Sequence, residues 1–254
     1  MTHLLETYLH EIALVHASGA GVKELSYYPA LAGLLSEVGK SLKPKVRCVS
    51  QLMNLGAGMP DFGLFTADQF QRAADAEPLP GQKPARGAVE VKGLEADLNA
   101  LVKTPQVQNY VQEYGLVLLT NLREFALAGA GPHGAVILER CAIAADASAF
   151  WSAAAHAHKT ANDHGERVVE FIKRALTHAA PIREPKDLAW LLASYAREAR
   201  LRVEQAGDLP ALEDLRRALE QSLGIAFKDD KGRHFFRSTL VQTLFYGMFS
   251  AWVL

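Results

Sequence analysis

Between residues 46 and 140 the chain is cut into six short β-rich runs by turn-forming residues, and that pattern does not continue past about residue 145. The runs are "VRCVSQL" (46–52), "DFGLF" (61–65), "GAVEVK" (87–92), "LVLLT" (116–120), "REFALAG" (123–129) and "GAVILER" (134–140). Their β-branched and aromatic content, with Gly, Pro and Asp at the joints, reads as strands. One helix interrupts them, "TPQVQNYVQEY" (104–114), with Thr104 placed to cap it. Pro105 falls in its first turn, where a missing N–H leaves no bond unmade. Segment 67–87, rich in Pro, Gly and charge, reads as a connecting loop with at most one helical turn.

Helices are expected on both sides of this block. Leu4, Leu5, Leu9, Ile12 and Val15 recur at helical spacing. After a Gly-rich break, "ASGAG", a second helix begins near Pro29 with "PALAGLLSEVGKSL". Beyond residue 145 only helical patterns remain, over 147–176, 184–205, 209–224 and 237–254. The expected fold is therefore α/β, a mixed sheet flanked by helices and followed by an all-α region. We expect one domain over residues 1–144 and a helical region over 145–254.

Composition narrows the function classes. At 254 residues and 49% hydrophobic content the chain can bury a substantial core. With 27 basic and 28 acidic residues it has no global positive field, so contact with nucleic acid needs a local site. Cys48 and Cys141 are the only cysteines, which leaves neither a disulfide framework nor a thiolate metal site. The start carries Glu6 and Glu11 and lacks a basic n-region, and no stretch is apolar enough to span a bilayer. A cytoplasmic protein is expected.

The stretch "LGAGMPDFGLF" (55–65) can be read as a cofactor loop or as a metal-carboxylate strand. A dinucleotide loop needs a strand, three spaced glycines and then a helix. Here Asp61 takes the place of the third glycine, Pro60 removes a donor, and a strand follows. The metal reading fits better. Glu90 and Lys92 are two apart on a strand and so share a face, and Asp61 starts another. If those strands pair, two carboxylates and an ammonium converge. Two hard oxygen ligands suit Mg²⁺, which keeps waters and binds phosphate oxygens. Lys92 can orient or help deprotonate an attacking water and neutralise a phosphate, and the chemistry expected is phosphodiester hydrolysis.

Pro60-Asp61 with Glu90-Val91-Lys92 resembles the signature of the PD-(D/E)XK nucleases. "GVKELSYYPALAGLL", "GAGMPDFGLF", "GAVEVKGLEADLN", "QVQNY" and "LVLLTNLREFAL" occur in the order seen in the Mrr-like N-terminal nuclease of single-polypeptide restriction-modification enzymes, including the type ISP class. The resemblance covers about the first 140 residues, and "VQTLFYGMFSAW" is similar to the helix leading toward their methyltransferase.

It implies a restriction-endonuclease-like core and Mg²⁺-dependent cleavage of double-stranded DNA, with Mn²⁺ able to substitute. It also implies a methyltransferase and target-recognition region in a longer polypeptide, and a transient dimer for cutting both strands. Asp61, Glu90 and Glu24 are then the metal ligands, and Asp61, Glu90, Lys92 and Gln106 the catalytic set. Gln106 and Tyr110 match a Q-x-x-x-Y helix motif, with Tyr110 serving either the site or the packing. No methyltransferase signature and no Walker A motif occurs in the chain. The alternatives are a non-catalytic nuclease-fold module that docks DNA or partner domains, and a nuclease for RNA or single strands.

Other constellations read as ordinary surface. "HAHKTANDH" (156–164) is a solvated helical face, "KDDKGRHFF" (228–236) a turn, and Arg197, Arg200 and Arg202 an exposed helix face. Trp151, Trp190 and Trp252 are expected to pack between helices.

Overall fold

The computed structural model describes residues 3–19, 24–50, 52, 56–70, 78–182, 184–205 and 210–253. Two compact units are present, 1–180 and 181–254. The first holds a six-stranded mixed sheet with helices on both faces, and the second is entirely helical. This is the α/β class with an all-α continuation that the strand and helix patterns imply.

The chain enters through α1 (Leu4–Ala17) and α2 (Tyr28–Lys40) and then builds the sheet in sequence order. Its strands are β1 (Val46–Ser50), β2 (Phe62–Thr66), β3 (Ala88–Val91), β4 (Leu116–Thr120), β5 (Glu124–Gly131) and β6 (Gly134–Ala142). Neighbours are antiparallel except β3 and β4, which run parallel. A parallel pair needs a crossover, and α3 (Leu98–Leu101) with α4 (Pro105–Tyr114) supplies it.

Alternation along β3 decides what faces where. Val89 and Val91 are fully buried in a core shared with α1 and α2. Ala88 faces the opposite core, formed with Val107, Tyr110 and Val111 of α4. Glu90, alternating with the valines, therefore lies on the α4 face. Strand β4 is buried throughout, with Leu118 in one core and Val117 and Leu119 in the other, as expected of a strand covered on both sides.

After the sheet come α5 (Ala147–Ala155) and α6 (Ala157–Thr177), which pack on the first unit rather than opening a second one. Phe150, Val168, Phe171, Ile172 and Leu176 join the core containing Leu5, Tyr8 and Leu9 of α1. Gly165 admits the His3 ring, because a Cβ there would lie 2.3 Å from it. Arg174, 2% exposed, is ion-paired to Glu139 on β6. The compact unit thus ends near residue 180, not at the expected 144/145 boundary.

Three further differences have local causes. The helix expected over 147–176 is broken at His156, whose φ of −116° and ψ of 45° are not helical. The short α3 escapes periodicity because it is one turn, started by Asp97 accepting the Asn99 N–H at 2.8 Å. The turn expected over 228–236 ends at Asp229, which accepts the Gly232 N–H at 2.5 Å and starts a helix at Asp230.

In the second unit α7 (Pro185–Gln205), α8 (Pro210–Leu223) and α9 (Asp230–Val253) follow one another. Of the three arginines expected on an exposed face of α7, Arg202 is exposed and pairs with Glu198, whereas Arg197 and Arg200 are half-buried, with Arg200 lying 3.6 Å from Glu204. His158 meets Glu6 and Asn162, and among the described residues no group of three metal-binding side chains forms around it. Trp151 stacks on His16 with ring centroids 3.6 Å apart, Trp190 is half-buried, and the Trp252 side chain lies outside the described residues. Among the described residues no helix is long and apolar enough to cross a membrane.

Candidate active site

Strands β2 and β3 pair with Phe62 opposite Val89 and Gly63 opposite Ala88. Continuing that register by one residue sets Asp61 opposite Glu90. The sheet thus gathers Asp61, Glu90 and Lys92 at one end of a strand pair, although Asp61 and Glu90 are 29 positions apart.

Lys92 Nζ donates to Glu90 Oε1 at 2.5 Å and to the Val91 carbonyl at 3.2 Å. From α4, Gln106 Nε2 donates to the same Glu90 oxygen at 3.1 Å and to the Tyr110 hydroxyl oxygen at 3.0 Å. The Q-x-x-x-Y spacing accordingly places both side chains on the face that meets β3. Asp61 is held differently. Its Oδ1 accepts from the Tyr28 hydroxyl at 2.5 Å and its Oδ2 from the Val91 N–H at 2.7 Å. Glu24 is near the others, with its Oε1 accepting the Gly93 N–H at 2.9 Å.

The electrostatics are those of crowded carboxylates. Burial pushes the Glu90 carboxyl above its usual range; Lys92 pulls it back, while Asp61 and Glu24 push it further up. Burial alone would lower the Lys92 ammonium, but its bond to Glu90 and the charges of Glu90, Asp61 and Glu24 outweigh that and raise it. The Tyr28 hydroxyl is driven upward by burial first, then by its bond to Asp61 and the surrounding negative charge. Tyr28 is therefore a neutral donor.

The donor set fits a divalent cation. Glu90 is 2% exposed, and its Oε2 has no hydrogen-bond partner among the described residues. A buried carboxylate oxygen left unpaired is costly, and a cation would satisfy it while relieving the repulsion with Asp61. Among the described residues no three Asp, Glu, His or Cys side chains converge as a ready-made cage. Asp61 and Glu90 are the pair that could hold an ion, and Mg²⁺ is a cation that takes one or two carboxylates and retains waters. Glu24, the expected third ligand, stands beside them with its Oε1 accepting the Gly93 N–H.

Of the two glycines before Asp61, Gly58 is the one packed closely, since a Cβ at Gly56 would meet nothing within 4 Å. Gly58 has φ +109°, and a Cβ there would come within 3.2 Å of the Tyr110 ring. Leu55 itself lies outside the described residues. Tyr28 is the site residue that sequence patterns do not single out. Its only signal is a tyrosine four residues after Glu24 and just before the helix-starting Pro29.

No family model and no curated protein matches this chain. Among solved structures, the cryoEM structure of a DrdV–DNA complex is similar over 61% of this chain and 96% of that one, with a TM-score of 0.41 and 18% identity. A likeness of that size carries no argument about function.

Proposed function

We propose that this chain carries a Mg²⁺-dependent endonuclease of the PD-(D/E)XK type, acting on double-stranded DNA as the cleaving part of a restriction-modification enzyme. The observation that supports this reading is the meeting of Asp61, Glu90, Lys92 and Gln106 on one face of the sheet, with an unpaired oxygen on Glu90. Asp61 and Glu90 would hold the cation, with Mn²⁺ able to replace Mg²⁺. A bound divalent cation supplies Lewis-acid stabilisation of phosphate charge and a more acidic water.

The chain's own groups account for the rest. The raised pKa of Lys92 keeps it an ammonium, suited to donating to a phosphate oxygen and to orienting the attacking water. Gln106 fixes Glu90 Oε1 so that Oε2 is the oxygen left for the ion. Hydrolysis joins the water oxygen to phosphorus, breaks one P–O ester bond, and returns a proton to the departing alkoxide. Target recognition and methylation would belong to other parts of a longer polypeptide, and double-strand cutting to a transient pair of such sites. A cytoplasmic location, where such DNA is met, goes with this reading.

One observation favours a second reading, a nuclease fold that docks without cutting. The 2.5 Å Lys92–Glu90 ion pair already gives Glu90 a positive partner. Nicking of supercoiled plasmid by the 254-residue chain with Mn²⁺ or Mg²⁺ separates the two. The nuclease reading expects cation-dependent nicking that is lost in Asp61→Ala, Glu90→Ala and Lys92→Ala. Nicking that persists in all three variants rejects it.

A further inference from the structure

We propose that Tyr28 is a positioning residue that fixes the direction in which Asp61 presents its carboxylate to a divalent cation; this rests on the reading of the site given above. Asp61 sits one residue before β2, where no strand pairing restrains it. Two donors restrain its side chain instead, one on each oxygen. The Lys92 N–H bonds to Thr120 O on the β4 side, so by alternation the Val91 N–H faces the β2 side, just where β2 has no residue left to accept it. Asp61 Oδ2 takes that N–H at 2.7 Å, and the Tyr28 hydroxyl takes Oδ1 at 2.5 Å. With both oxygens held, rotation about the two side-chain torsions is stopped, and each oxygen keeps lone-pair capacity for an ion.

Tyr28 is itself well anchored. Its ring packs on Phe62 with centroids 5.0 Å apart, and Pro29 follows it in the first turn of α2. The same short segment reaches the sheet a second time through Glu24, which accepts the Gly93 N–H. Residues 24–28 therefore touch the chain just before β2 and just after β3, which are the two places that carry Asp61 and Lys92. A hydroxyl suits this role better than a cation would. It can donate among three carboxylates without bringing a positive charge that competes with the metal.

The alternative is that Tyr28 is a core residue whose hydroxyl merely finds an acceptor. Tyr8 provides a matched control, because its buried hydroxyl donates to Leu122 O at 2.8 Å with no carboxylate involved. The experiment is calorimetric titration of Mn²⁺ into the 254-residue chain and its Tyr28→Phe, Tyr8→Phe and Asp61→Asn variants, each first shown to be folded in EDTA by circular dichroism. Groups that orient a metal ligand typically contribute ~10-fold or more in metal affinity. Tyr28→Phe is expected to weaken Mn²⁺ binding about 10-fold, Tyr8→Phe to leave it within twofold, and Asp61→Asn to abolish it. Tyr28→Phe binding within twofold of wild type, while Asp61→Asn is lost, overturns the role of Tyr28 and leaves the site reading standing. Absence of any Asp61-dependent Mn²⁺ binding in the wild-type chain overturns both.

Discussion

Replacing Glu90 by Gln should make the metal-free protein more stable while removing what the site is for. Glu90 is 2% exposed, one of its oxygens is unpaired, and Asp61 and Glu24 lie close enough to disfavour its charge. Gln keeps an oxygen for Lys92 and Gln106 and puts a neutral amide, whose own N–H groups stay unpaired, where a buried ionised oxygen was, so the gain is the excess cost of the charge. An unsatisfied buried group costs about 1–3 kcal/mol, and more when charged. Against this gain stands the lost ion pair with Lys92, about a third exposed and so worth ~1 kcal/mol or less. The net gain is on the order of 1 kcal/mol, or about 2–4 °C in Tm for a unit of this size.

The sign with pH follows from the direction of the shift. The folded-state pKa of Glu90 lies above its ordinary 4.5, so its favourable contribution is full below that value and is lost as pH rises through the folded pKa. The advantage of Glu90→Gln should accordingly be larger at about pH 8 than at about pH 5. Differential scanning calorimetry in EDTA reads this directly. Added Mg²⁺ should reverse the order, because only wild type gains from binding, by about 2.7 kcal/mol at a hundredfold excess over Kd. A variant that melts below wild type in EDTA at both pH values refutes the reasoning.

Asp61→Asn should act in the opposite direction without metal. An amide cannot accept from both Tyr28 and Val91 in the way the carboxylate does, and a loss of about 1–2 kcal/mol is expected in urea unfolding; an unchanged midpoint would mean those bonds contribute nothing. Arg174→Met removes one half of a buried pair joining α6 to β6 and should cost about 3 kcal/mol, with a loss below 1 contradicting the assignment of α6 to the first unit's core. Gly39→Ala would place a Cβ 2.2 Å from Val46 O, so about 2 kcal/mol should be lost as α2 is pushed off β1; a neutral substitution would count against that close packing.

The site was more legible in the sequence than the division of the chain. Glu90 and Lys92 declare a shared face by their spacing alone, and Gln106 and Tyr110 do so by theirs, because strand and helix periods act over a few residues. Tyr28 declares nothing, since a hydroxyl that reaches a carboxylate 33 positions away has no periodic trace. Glu24 is implied as a ligand by the resemblance, and the bond it accepts from the Gly93 N–H leaves no trace in the sequence. Strand signals stop near residue 144 and suggest a boundary there, yet an amphipathic helix does not say which surface it covers. Helices α5 and α6 bury Phe150, Val168, Phe171 and Ile172 against α1 and move the division to residue 180. The break at His156 was hidden because apolar spacing runs on through it.

The most direct measurement is anomalous diffraction from crystals of the chain soaked in Mn²⁺. A single strong peak is expected within about 2.2 Å of one Asp61 oxygen and of Glu90 Oε2, with Lys92 Nζ moved away from Glu90. A site with no peak there, and with the Lys92–Glu90 ion pair intact under saturating Mn²⁺, would contradict the assignment of these carboxylates as a metal centre.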